Sequence, residues 1–181
     1  MKVLCTPVTV FEEDMRQRMQ QEGKFSFNHL LIRRKEISRL EIRYVEYFIL
    51  DYQIIHKKAA FFRRDQEDMR KCSRQQVFLL GNGSTGATSF METQPQKVEM
   101  DIPDGQLQKA DYGPEQMRLS ARTTLVKLVR RHMGGRIPDF QLQKAVSIYR
   151  PFWLIYYGET RADGRQLCSV RSADGYSVGG L

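Results

Sequence analysis

The chain has 181 residues, 41% of them hydrophobic and 28% charged, which is enough apolar material for a core and unlike a disordered or low-complexity composition. The 29 Lys and Arg against 21 Asp and Glu leave a net charge of +8 and a pI near 9.5; this favours encounter with polyanions or acidic surfaces without selecting one. Cys5, Cys72 and Cys168 show neither CxxC nor metal-ligand spacing, so no disulfide framework and no metal site is expected, and Cys5 and Cys168 read as buried small hydrophobes.

The N-terminal apolar run, Val3 to Cys5, is too short for a signal peptide, and acidic residues follow it. No stretch approaches the 18 or so apolar residues of a membrane span, so the expected location is cytoplasmic. A first helix is expected from Thr9, with Glu12 at the capping-box spacing, Phe11, Met15 and Met19 on one face, and Gly23 as terminator. A long strand follows over Ile37–His56. Its aromatic and branched residues fall mainly on one parity, and Tyr47 and Ile49 add to the other, so the middle is expected to be covered on both faces. After a charged stretch, Gln75 to Leu80 reads as the returning strand, ended by the Gly81–Gly86 loop. A connector with a short strand near Val98 leads to a second helix from Pro114, with Met117, Ala121, Leu125 and Leu128 inward and Gly134-Gly135 as the stop. The last strands are Phe140–Tyr157 and Gln166–Arg171, the second running into an Asp174-Gly175 turn.

Both halves thus read as helix, glycine, aromatic strand, loop, returning strand and glycine-containing turn. Tyr44–Tyr52 laid over Tyr149–Tyr157 matches in residue type at six of nine positions. The expected fold class is α+β: two similar helix-plus-antiparallel-sheet units packed together, at 1–105 and 106–181, related by an internal duplication. The second half, with Trp153, Tyr156 and Tyr157, then Leu167 to Val170 running into Asp174-Gly175, resembles the PepSY-type repeat and, more broadly, small cystatin-like units. That resemblance implies a non-catalytic module of the kind associated with inhibition or regulation of other proteins.

The chemistry-bearing residues form no familiar catalytic set, and no cofactor is implied. Gly81-Asn82-Gly83-Ser84-Thr85-Gly86 fits GxGxxG, but a dinucleotide site needs a helix directly after the loop, and Ala87 to Glu92 is too short and too β-prone. His29, His56 and His132 stand far apart. Glu46 interrupts an aromatic strand on its apolar parity, a candidate buried acid, with pairing to an Arg or Lys on a neighbouring strand the favoured alternative. The second helix carries Arg118, Arg122, Lys127, Arg130 and Arg131. Further basic groups stand at Arg33-Arg34-Lys35, at Lys57-Lys58 and at Arg63-Arg64. Together with Tyr47, Trp153 and Tyr157 the helix forms the candidate binding surface. Three readings follow: a non-enzymatic module for a protein or peptide partner; a nucleic-acid binder using the basic helix and stacking aromatics; and, with least support, an enzyme with a small-molecule pocket between the units. Oligomeric state has no signature in the sequence.

Overall fold

The computed structural model describes residues 1–22, 36–56, 73–132, 137–160 and 163–176, side chains at 21, 22, 73, 131 and 132 excepted. In chain order the elements are β1 (Lys2–Cys5), α1 (Glu12–Glu22), β2 (Ile37–His56), β3 (Ser73–Asn82), β4 (Thr88–Met91), β5 (Val98–Asp101), β6 (Leu107–Gln108), α2 (Pro114–His132), β7 (Asp139–Tyr157) and β8 (Leu167–Ser172), with one 3-10 turn at Asp104–Gln106. The eight strands join in the order β4-β3-β2-β7-β1-β5, with β6 on β2 and β8 on β7. The sheet is mixed: β2 and β3 run antiparallel from Tyr47↔Asn82 to His56↔Ser73, whereas β1 lies parallel to β7 and β6 parallel to β2.

This overturns the expected pair of duplicated helix-plus-antiparallel-sheet units. One large mixed sheet dominates, and it carries only two helices among the described residues. The reason lies in strand pairing: β1, from the start of the chain, pairs with β7, from near its end, at Cys5↔Tyr149. The likeness of Tyr44–Tyr52 to Tyr149–Tyr157 has a simpler origin in burial. Tyr47 to Leu50 and Tyr149 to Pro151 are consecutive buried residues, and a strand covered on both faces needs apolar and aromatic side chains at successive positions.

The backbone gathers into two compact units, each drawn from separate stretches: Met1–Val45, Pro95–Gln108 and Ile148–Ser177 in the first, chiefly Glu46–Gln94 and Lys109–Ser147 in the second. In the first unit, α1 places buried Met15 and half-buried Met19 against Trp153, Ile155 and Tyr157. Its entry differs from expectation. The Thr9 and Val10 amides donate to the Ala173 carbonyl at 2.8 and 2.9 Å, so Thr9 is tied to the segment after β8, and the helix begins at Glu12. Phe11, expected inward, is 63% exposed. A second cluster holds Val3, Cys5, Tyr44, Ile102 and Tyr149.

In the second unit, α2 starts as its sequence predicts. Pro114 occupies the first helical position, and the Gln116 side-chain oxygen accepts a bond from the Gly113 amide at 2.8 Å, which satisfies a donor the helix leaves open. Met117, Ala121 and Leu125 are fully buried against Phe48, Leu50, Tyr52 and Ile54 of β2 and Leu79 of β3. Met117 lies so close to β3 that a Cβ on Gly81 would stand 2.7 Å from its sulfur. Hydroxyls pin the next turns to β4, with Thr88 Oγ1 2.8 Å from Thr124 Oγ1 and 3.2 Å from Ser120 Oγ. The face that this packing leaves outward carries Leu119 at 70% exposure.

The Gly81–Gly86 loop is a β-hairpin connection. Gly81 and Asn82 are still in β3, and β4, not a helix, follows at Thr88. The Asn82 side-chain oxygen accepts the Ser84 and Thr85 amides at 2.9 and 3.2 Å, and Gly86 takes φ +71°, which an L side chain rarely adopts. Gly83 has a packing role. Its amide donates to the Glu46 carbonyl, its own carbonyl accepts the Asp111 and Tyr112 amides, and a Cβ there would lie 2.5 Å from both the Glu46 carbonyl oxygen and the Ala110 Cβ. Gly23, Gly134-Gly135, Cys72, His29 and the basic groups at 33–35 and 57–64 lie outside the described residues.

Candidate functional site

Three of the residues expected on a binding surface are interior. Tyr47 is 8% exposed, and its hydroxyl accepts a bond from the Asn82 side-chain amide at 2.9 Å. Trp153, also 8% exposed, donates its indole N–H to the Val10 carbonyl at 2.8 Å. Tyr157 is 3% exposed, and its hydroxyl lies 3.1 Å from Ser169 Oγ. All three rings are spent on packing, and their polar tips already have partners, as buried Tyr and Trp require.

The basic residues of α2 fare differently. Arg118, Arg122, Lys127 and Arg130 are exposed, and the side chain of Arg131 lies outside the described residues. Arg118 pairs with Glu115 at 3.0 Å, one helical turn earlier. Arg122 has no ion-pair or hydrogen-bond partner among the described residues.

Glu46 is half-buried. Among the described residues its carboxylate is held by polar but uncharged partners: the Ala110 amide at 3.0 Å and the Ser147 hydroxyl at 2.6 Å. It therefore fastens the connector before α2 and the middle of β7 to β2. The favoured pairing with a neighbouring Arg or Lys is not what the carboxylate makes there.

The sheet does contain a buried ion pair, at a residue the sequence reading passed over. Arg150 and Asp174 have side chains 2% exposed. The guanidinium donates from Nε and from one terminal nitrogen to the two carboxylate oxygens, at 2.8 and 2.9 Å, and to the Tyr176 carbonyl at 2.6 Å. Asp174 also accepts from Thr6 Oγ1 at 2.8 Å, from the Ser172 hydroxyl and from the Tyr176 amide at 3.1 Å. Phe152 and Tyr176 face the guanidinium at 5.4 and 5.3 Å. Burial alone would push the Asp174 carboxyl up, but the hydrogen bonds from Arg150 and Ser172, the Arg150 charge and the Thr6 hydroxyl outweigh it and hold the pKa below its usual value. The sequence signal was the one that singled out Glu46, a charge interrupting an apolar aromatic strand. With nearly all donors and acceptors occupied, the pair reads as architecture rather than reactive chemistry.

The thiols also divide. Cys5 is fully buried, and burial pushes its thiol up, away from the thiolate form that reacts. Cys168, expected inside, is exposed, because its position on β8 points away from the half-buried Leu167 and Ser169.

Among the described residues of the second unit, a cleft of about 590 Å³ opens between α2 and the first residues of β7, within the size range of ligand sites. Its apolar wall includes Leu119, Ile137 (47% exposed) and Phe140, and Arg118 and Arg122 stand beside them. Tyr52 of β2, only 4% exposed, lines the same cleft, and its hydroxyl makes no hydrogen bond among the described residues. Burial pushes the Tyr52 hydroxyl up; the positive charges of Arg118 and Arg122 act in the opposite direction, and Glu115 adds to the burial effect. The phenol is therefore electrostatically coupled to the basic wall. Glu115 and Asp139 also line the cleft, and each has a partner. The sequence reading found the arginines but not the cleft, which forms only when residues 52, 118–122 and 137–142 come together.

No group of three or more potential metal ligands occurs among the described residues, and no described helix is long and apolar enough to cross a membrane. No protein-family model, curated protein or solved structure matches the chain.

Proposed function

We propose that this chain is a non-catalytic binding module that takes a short protein or peptide segment in the cleft between α2 and the start of β7. The observation that carries this reading is the placement of exposed Leu119 and Ile137 on the rim of one cleft, beside an arginine, Arg122, that has no ion-pair partner among the described residues. Large apolar side chains left exposed together, next to a charge that can orient a ligand, are the features expected of a recognition surface. The resemblance of the second half to PepSY-type modules points the same way.

The nucleic-acid reading retains the exposed arginines and lysine of α2, but its stacking residues Tyr47, Trp153 and Tyr157 are interior. An array of random octapeptides probed with the purified protein tests the proposal. Binders are expected for the native chain, with signals lost in the Leu119→Glu/Ile137→Glu variant while its circular dichroism spectrum is unchanged. An array with no binders, or with binders indifferent to both substitutions, would sink the reading.

A further inference from the structure

Resting on that reading, we infer that the cleft recognises the free C-terminal carboxylate of a peptide whose last residue is apolar, with Arg122 and the Tyr52 hydroxyl as the carboxylate clamp. Arg122 offers a planar fork of N–H donors with no protein acceptor among the described residues. The hydroxyl of Tyr52, a residue 4% exposed, is a second donor on the same cleft without a partner among the described residues. A phenol hydroxyl on the wall of a cleft, without a partner among the described residues, is open to water or a ligand. Tyr52 lines this cleft together with Glu115, Arg118 and Arg122.

Charge sets the valence of the ligand. Arg118 is paired with Glu115 at 3.0 Å, and Asp139 has a partner of its own, which leaves Arg122, among the described residues that line the cleft, as the cation available to a ligand. One arginine without an ion-pair partner among the described residues balances a single carboxylate in full and leaves half the charge of a dianionic phosphate unbalanced.

Shape sets the source. Leu119, Ile137 and Phe140 stand in the same cleft as the clamp. At a peptide C-terminus the carboxylate and the last side chain branch from one Cα, so both can be satisfied together. An internal Asp or Glu would instead bring its flanking backbone onto the apolar wall and leave those amides without partners.

The experiment compares the same random octapeptide sequences synthesised as free acids and as C-terminal amides, each probed with the native chain, Arg122→Gln and Tyr52→Phe. Free-acid binders are expected to favour apolar last residues and to bind at least about tenfold more weakly as amides, the size of a lost charge-assisted hydrogen bond. Arg122→Gln should abolish that discrimination, and Tyr52→Phe, which keeps the ring in the core, should reduce it. Equal binding of acids and amides would overturn the inference and leave the peptide-binding reading standing, as would acid preference that survives Arg122→Gln. Absence of binders in both forms would overturn both.

Discussion

At the scale of single residues, the buried pair of Arg150 and Asp174 makes the first unit sensitive to the loss of either partner. Neither charge is tolerable alone at 2% side-chain exposure, and each is close to fully satisfied by the other and by Thr6, Ser172 and the Tyr176 backbone. Breaking a buried pair from one side strands the remaining charge, at a cost of roughly 3–5 kcal/mol. Asp174→Asn is therefore expected to lower the urea midpoint strongly. Arg150→Met should do the same, although it preserves volume, because Asp174 is then the stranded group. The pH dependence has a definite sign. The folded pKa of Asp174 is depressed, so its contribution is fully present above the ordinary carboxylate value and is lost as pH falls through the lower, folded value. Urea unfolding followed from pH 7 down to pH 2 should show native stability falling below about pH 4, with that part of the fall absent in Asp174→Asn. A variant that keeps the full acid-dependent loss would show that other carboxylates, and not this one, govern it.

At the scale of elements, the hairpin loop joining β3 to β4 shows how a motif can be legible while its purpose is not. The glycine spacing invited comparison with a nucleotide loop, and the β-prone residues after it argued for a turn; the chain forms the turn. What the spacing could not reveal is that Gly83 sits against the Glu46 carbonyl and accepts two amides from the connector before α2. Gly83→Ala must therefore displace backbone, and it is expected to lower stability by about 1–3 kcal/mol, the range for forced overpacking. Gly105→Ala, where an added Cβ meets nothing within 4 Å, is the matched control and should stay within about 0.5 kcal/mol of the native chain. Equal effects in urea titrations would remove the packing role. The same contrast explains what was readable elsewhere. The extents of β2 and β7 and the start of α2 followed from local periodicity and Pro114. The short β1 and β6 were missed because two to four residues carry no period, and their strand character comes from distant partners, Tyr149 for Cys5 and Tyr44 for Leu107. Thr9 had the right spacing for a cap, but the Ala173 carbonyl captured its amide, and no local pattern encodes that competition.

At the scale of the whole molecule, the charge of +8 and the fate of the aromatics together determine how the chain should meet nucleic acid. Stacking on exposed rings gives single-strand binders a component that survives salt, whereas phosphate contacts release counterions and weaken as salt rises. Tyr47, Trp153 and Tyr157 are interior and hydrogen-bonded at their polar tips, so a base could reach them only if the core opened. The exposed Arg118, Arg122, Lys127 and Arg130 offer phosphate contacts alone. If about four phosphates are neutralised, log Kd against log salt should have a slope near 3 on single strands, about 0.7 per phosphate. Between 50 and 200 mM salt that amounts to a weakening of roughly 50-fold. Fluorescence polarisation against labelled oligo-uridine across this salt range is expected to show association at the low end and little at the high end. Peptide binding in the α2–β7 cleft, anchored by Leu119 and Ile137, should persist over the same range. Nucleic-acid binding that persists at the high end would require contacts other than phosphate, and it would move the functional assignment from the cleft to a surface that exposes aromatic rings.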